Sequence, residues 1–243
     1  MAHGREDWAG TAQISGLWGV SDLGELAARL GSFSTFDRRG NVVWSNHFVD
    51  GYSGWIQYNV GTGSAFYLYA DKAFVAPLSA QIVAGAGAGG RAQLYVNLPI
   101  PPISKLGAEC WWANVTTNDG YYILGIKVSI GGRQYFAYVR FDVANKIMAI
   151  WDNTLGYVTL ATLSDALFQS DAWHLTKLVI DAKTLKYEKV IFDDTTYDAS
   201  AYSLVNYAVT SERGISAYIF CGVKTTASPT MNVGGMIITY NEP

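Results

Sequence analysis

From Tyr122 to Phe141 the chain repeats with a period of two, and a pair of glycines breaks the pattern in the middle. Tyr122, Leu124, Ile126, Val128 and Ile130 share one face, and after Gly131-Gly132 the residues Tyr135, Ala137, Val139 and Phe141 return along it. Successive side chains of a strand point to opposite faces, and a two-residue glycine turn supplies the positive φ that a tight hairpin needs. The pattern predicts an antiparallel hairpin over residues 124–141. Its register is pinned, because a slip of one residue would turn the apolar face to solvent.

The same signals recur along the chain. Alternation runs through residues 42–48, 66–70 and 91–97, and further strands are expected at 147–152, 157–161, 173–181, 186–192, 215–223 and 232–240. Turn residues separate them at 50–54, 118–120, 153–156, 181–184 and 193–194. Half of the 243 residues are apolar and 15% are charged, which supports a large core and excludes a disordered chain. Many short strands with regular turns predict an all-β fold, a two-sheet antiparallel jelly-roll sandwich over residues 41–243.

Residues 1–40 read differently, as an N-terminal arm with one short amphipathic helix at 22–30. Asp22 and Glu25 form a capping-box pattern, Leu23, Leu26, Ala27 and Leu30 follow at helical spacing, and Gly31 stops the helix. Isolated helices below ~12–15 residues are marginal in water, so the leucines must dock. Each would forgo roughly 1.5–3 kcal/mol if left exposed. Trp8, Trp18, Leu23, Leu26 and Leu30 are therefore the candidate assembly residues, with another copy of the chain as the expected partner.

Two stretches carry a resemblance. Phe48-Val-Asp-Gly-Tyr-Ser-Gly-Trp55 is similar to the opening strand and turn of sugar-binding jelly rolls. Trp173-His-Leu-Thr-Lys-Leu-Val-Ile-Asp181, followed by Tyr187-Glu-Lys-Val-Ile-Phe-Asp-Asp194, resembles the concanavalin A-like lectin/glucanase superfamily. The resemblance implies a jelly roll and, as a family expectation, sugar binding. The segment from Leu23 to Asn41 resembles bacteriophage-associated proteins.

Several chemistries are excluded or disfavoured. Seventeen basic residues against 20 acidic ones give a net charge of −3, which lacks the clustered basic surface of a nucleic-acid binder. The uncharged run from Ala73 to Gly90 is too polar and glycine-rich to span a membrane. Met1 to Trp8 carries both charges and no apolar stretch, so no secretory signal is expected. Glycoside hydrolysis needs two carboxyls about 5–9 Å apart. The glucanases of the resembled superfamily place theirs in a Glu-x-Asp-x-Glu type run, which this chain lacks. No enzymatic activity is expected.

Gly85-Ala-Gly-Ala-Gly-Gly90 matches a dinucleotide motif by spacing, but prolines at 99, 101 and 102 forbid the helix that a phosphate site requires, so the run reads as a flexible loop. His174 reads as a structural strand residue. Asn114-Val-Thr116 is a glycosylation sequon only in a secreted eukaryotic setting. Cys110 and Cys221 read as two reduced core residues rather than a disulfide. Two cysteines and three histidines show no zinc spacing, so no cofactor is expected, although Asn118-Asp119 and Asp193-Asp194 could offer oxygens to Ca²⁺.

Aromatic residues make up 14% of the chain, and Trp111, Trp112, Tyr121, Tyr138, Trp151 and Tyr218 fall in expected strands. Sugars stack on such rings while polar neighbours fix their hydroxyls. Trp112, Tyr138, Arg140, Trp151 and Asp152 are the candidate carbohydrate-binding set. Two functions follow: a non-catalytic, self-assembling virion or surface-layer component that forms homo-oligomers, or a lectin-like carbohydrate-binding module.

Overall fold

A computed structural model describes residues 40–70, 72–74, 77–99, 104–116, 120–164, 172–208, 214–226 and 228–243. The expected arm and helix, with Trp8, Trp18, Leu23, Leu26 and Leu30, lie outside the described residues, as does the Asn118-Asp119 turn.

The first eight strands are β1 (Asn41–Asn46), β2 (Ile56–Thr62), β3 (Ala65–Tyr69), β4 (Ser79–Val83), β5 (Ala86–Leu98), β6 (Lys105–Thr116), β7 (Gly120–Ile130) and β8 (Arg133–Asp142). The rest are β9 (Ile147–Asp152), β10 (Gly156–Thr162), β11 (Trp173–Asp181), β12 (Lys186–Phe192), β13 (Thr195–Asp198), β14 (Val205–Ala208), β15 (Gly214–Val223) and β16 (Thr230–Tyr240). They form two antiparallel eight-stranded sheets. The front sheet runs β10-β9-β8-β7-β15-β5-β2, with β14 beside β8. The back sheet runs β13-β12-β11-β6-β16-β4-β3, with β1 beside β16.

The expected hairpin is present. β7 and β8 pair from Tyr121↔Asp142 to Ile130↔Arg133, and Gly131 and Gly132 turn with φ of 59° and 76°. Both values lie where a side chain on an L-residue is crowded, so glycine serves here. Tyr122, Leu124, Ile126 and Val128 face the back sheet, meeting Trp112, Cys110, Leu178, Ile238 and Met236 in one continuous core. Apolar area removed from water on these inner faces drives the two sheets together.

One expectation is corrected, and one strand is new. The run Gly85–Gly90 is not a loop, since Ala86–Gly90 opens the long strand β5, with Thr62 paired to Ala86. Gly87 and Gly89 take φ of 94° and 80°, so the glycines permit an irregular, bulged strand. β2 was not anticipated. It is an edge strand exposed along its whole length, so its alternation carries no buried face.

Cys110 and Cys221 are both buried and unpaired, one on β6 of the back sheet and one on β15 of the front. Asn114 of the sequon is buried too, and its side-chain oxygen accepts a hydrogen bond from the Tyr122 hydroxyl. Among the described residues, no helix is long and apolar enough to cross a membrane.

Candidate functional site

The hairpin that fixes the core fixes the site as well, through its other face. Residues between the inward-pointing ones must point outward. On β7 these are Tyr121, Ile123, Gly125 and Lys127, and on β8 they are Gln134, Phe136, Tyr138 and Arg140. Across the ladders they continue into Tyr218 and Phe220 of β15 and into Arg91, Gln93 and Tyr95 of β5. All of these but Gly125 and Arg140 line an open groove of about 520 Å³.

The floor of the groove is a chain of rings. Tyr157 stacks on Trp151 at 5.7 Å between centroids, Trp151 meets Tyr138 at 5.2 Å, and Tyr138 meets Phe136 and Tyr218 at 5.7 Å each. Tyr218 stacks on Phe220 at 6.2 Å, and Phe220 abuts Tyr121 at 6.0 Å. The Arg140 guanidinium lies over Tyr121 at 4.2 Å and over Tyr157 at 4.8 Å, joining the two ends of the chain by cation–π contact.

Two glycines shape this floor. A Cβ on Gly125 would fall 2.3 Å from the Tyr218 ring, and one on Gly222 would fall 2.4 Å from the Tyr121 ring. Each tyrosine thus lies flat across a strand where the neighbouring residue has no side chain, a use of mid-strand glycine for close approach. Burial pushes the Tyr138 hydroxyl up to about 12 and raises Tyr121 and Tyr218 as well. All three remain neutral phenols, able to donate and accept hydrogen bonds.

A residue of the opposite sheet holds the rings in place. Tyr187 of β12 is fully buried and reaches across the core, its hydroxyl accepting from the Tyr138 amide at 2.9 Å and donating to the Trp151 carbonyl at 2.9 Å. The β8–β9 ladder ends one step earlier, at Val139↔Ile150. The Tyr187 hydroxyl bridges the backbone groups that the ladder leaves open.

Of the five expected sugar-binding residues, the structure brings Tyr138, Arg140 and Trp151 together on this face. The other two are corrected. Trp112 is 1% exposed and sits between the sheets, its indole donating to Thr176 Oγ1 at 2.9 Å, because its even register on β6 turns it inward. Asp152 also points away from the groove. Its carboxylate accepts from the amides of Thr154 and Leu155 at 2.8 Å each and from Ser203 at 2.8 Å. Burial pulls Asp152 upward, but these amides outweigh it and hold the carboxyl below its ordinary range. It is a turn cap.

Sequence reasoning missed Tyr95, Phe136, Tyr157, Phe220 and the two glycines. The signal was present: these positions are the complement of the apolar alternation. His174 is buried, with Nδ1 2.9 Å from Asp193, whose other oxygen accepts from the Leu175 amide at 2.9 Å. The Asp193 carboxylate is thereby committed to its own hairpin. Among the described residues, no three His, Cys, Asp or Glu side chains gather where they could hold a metal ion.

The sandwich matches solved structures over most of its length. A carbohydrate esterase from the Shiga toxin-encoding bacteriophage phi24B superposes with a TM-score of 0.57 at 11% identity, covering 84% of this chain and 100% of that one. Lectin I-B4 from Griffonia simplicifolia gives a TM-score of 0.50 at 11% identity, covering 81% and 98%. This is the concanavalin A-like jelly-roll fold. The CBM2 module of the Dit protein from Lactobacillus casei BL23 phage J-1 shares the jelly roll at a TM-score of 0.50 and 9% identity, covering 83% and 96%. No family model and no curated protein matches the chain. At such identities the likeness concerns the jelly roll itself, and function has to be argued from the groove.

Proposed function

We propose that the protein is a non-catalytic carbohydrate-binding module whose site is the aromatic groove of the front sheet. The observation that carries this reading is the unbroken chain of rings from Tyr157 to Tyr121, laid along an open groove and flanked by Gln93, Asn97, Gln134 and Ser216. Flat rings take the C–H faces of pyranoses, and amides and hydroxyls beside them fix the sugar hydroxyls. Solved structures of like fold include a lectin, a phage-borne CBM2 module and a phage carbohydrate esterase, which supports a glycan ligand and fits a phage setting. Binding rather than hydrolysis is supported by the groove, which among its described lining residues has no carboxylate to act as acid or nucleophile. A glycan array with the full chain tests this. Saturable binding that falls at least about tenfold in Trp151→Ala or Tyr138→Ala, each with an unchanged melting temperature, is expected for ring platforms worth ~1.4 kcal/mol or more. Binding that ignores both substitutions sinks the reading.

Assembly with further copies is a second reading, compatible with the first. It is favoured by the sheet edges: among the described residues β2 and β3 end their respective sheets, and Ile56, Val60, Tyr67 and Leu68 on them are exposed. Long apolar edges are templates for pairing with another chain. The particle mass of the full chain in solution decides it, since a monomer at high concentration removes this reading.

A further inference from the structure

One register row of the front sheet is apolar from β10 to β2, strand after strand. On the outer face Tyr157 of β10 pairs with Trp151 of β9, and Trp151 stands opposite Tyr138 of β8, one step past the last ladder pair. Tyr138 pairs with Gly125 of β7, and Gly125 with Tyr218 of β15, whose ring fills the space that a Gly125 side chain would take. The row then runs on beyond the chain of rings described above. Tyr218 pairs with Tyr95 of β5, and Tyr95 with Ile56 of β2. Tyr95 packs against the outer cluster of Ile123, Tyr218 and Phe220.

The row crosses the strands, so strand spacing sets its length. Six steps from β10 to β2, at ~4.8 Å each, make about 29 Å. Along the strands the apolar surface stops sooner, since β8 passes from Tyr138 to Arg140 and β15 from Phe220 to Gly222. Neither end of the row is covered: Tyr157 is 47% exposed and Ile56 41%. The register of β2 puts Ile56 and Tyr58 beside Tyr95 and Gln93 on this outer face, while Gln57 and Asn59 fall beside the core residues Leu94 and Ala92. A strand serving the core alone would place them the other way round. The apolar side of β2 serves the groove.

We infer that the site takes an internal stretch of an extended, linear oligosaccharide lying across the strands, with Tyr95 and Ile56 as the far half of its platform. This rests on the carbohydrate-binding reading above and adds the ligand's length, its direction and two binding residues. A monosaccharide covers only part of such a row. No chain end is required, because the row opens at both edges of the sheet. Amides flank its far half, Gln93 in the register row on one side and Asn97 on the other, where Ser216 Oγ donates to the Asn97 side-chain oxygen at 2.6 Å. A proline-rich peptide also docks in aromatic-lined grooves, yet its prolines have no backbone N–H to donate. The flanking amides both donate and accept, as sugar hydroxyls do.

The test is calorimetric titration of the full chain with linear xylo-, cello-, manno- and chito-oligosaccharides, each as a ladder from disaccharide to octasaccharide, with oligoproline as the peptide control. At least one series is expected to bind, its hexasaccharide about tenfold more tightly than its disaccharide, ~1.4 kcal/mol. Blocking both chain ends, by reduction at one and methylation at the other, should leave the affinity of the hexasaccharide unchanged. In the Ile56→Ala/Tyr95→Ala double variant the gain with length should be lost while the disaccharide still binds, because the Trp151 end is untouched. Ile56→Ala alone, at an exposed edge position, gives the same reading if the double variant fails to fold. Affinity independent of length, a need for a free chain end, a gain with length that survives the substitutions, or an equal loss for short and long chains overturns the inference and leaves a sugar groove in place. Oligoproline bound as tightly as the longest sugars overturns it in favour of a peptide groove. No binding to any sugar overturns both readings.

Discussion

Gly125 has no side chain, and the ring of Tyr218 occupies the space one would need. Alanine there must lift the ring or push the strand, and overpacking of this kind costs about 1–3 kcal/mol. Gly125→Ala is expected to lower the melting temperature and, by tilting Tyr218 off the floor, to weaken glycan binding by about tenfold, ~1.4 kcal/mol. Undiminished affinity in a folded variant would mean that the flat ring is packing and not platform. Asp152 offers a second check at this scale. Its carboxyl is held below the ordinary value of 3.8 by the Ser203, Leu155 and Thr154 amides, against the upward pull of burial. A depressed folded pKa adds stability that is fully present above the unfolded value and disappears as pH falls through the folded one. Asp152→Asn should therefore be less stable than the parent at neutral pH, with a gap that closes below about pH 4. Urea unfolding followed across that range measures it, and a gap of constant size in acid would be evidence against the cap.

Strands rather than single residues decide where the rings stand. β8 and β9 diverge just where Tyr138 and Trp151 emerge, and the Tyr187 hydroxyl from β12 ties the two backbones together. Tyr187→Phe keeps the ring and removes the tie, leaving a buried amide and carbonyl unpaired at a cost of about 1–3 kcal/mol. Glycan affinity should fall with it although Tyr187 touches no ligand. A loss of stability with affinity intact would show that the ring pair needs no such brace. How much of this could be read beforehand depends on the element. The β7–β8 hairpin was fully legible, since its alternation and glycine turn dictate one register. The strands at 147–152, 173–181 and 186–192 were legible to the residue. β2 was not, because an exposed edge strand has no buried face to announce it, and the glycine run at 85–90 hid the start of β5. Of the expected sugar-binding residues, Tyr138, Arg140 and Trp151 share the outer face of the front sheet, whereas Trp112 lies in the core and Asp152 caps a turn. Residue type says what a side chain can do, but only register says which way it points, and the register of β6 was never fixed by a turn of its own. Tyr187 lies on the other sheet, some 50 residues from Tyr138 in sequence, and no local pattern connects them.

The whole sandwich shares one core, to which each sheet contributes a thiol, Cys110 from the back and Cys221 from the front. Burial pushes Cys221 up to about 12, and burial followed by the charge of Glu109 raises Cys110 well above its ordinary value. Thiolate is the reactive form, so neither cysteine should react with a disulfide reagent while the sandwich is closed. If the two sheets separate as one cooperative unit, both thiols will label at a single rate equal to that of global opening. Two well-separated rates would show that the sheets come apart independently. The alternation along β7 and β8 has a further consequence, for the history of such a protein. Inward and outward side chains leave opposite faces of the same strands, so the outward side chains at positions 121, 127, 136 and 138 can be exchanged with little change to the inward ones. Gly125 and Gly222, under the flat tyrosine rings, and Tyr187, which ties the core to the Tyr138 and Trp151 backbones, couple the two sets of demands. A lineage built on this sheet can change its outer face by single steps, each leaving a folded intermediate, and drift there would leave almost no trace in the residues that make the fold.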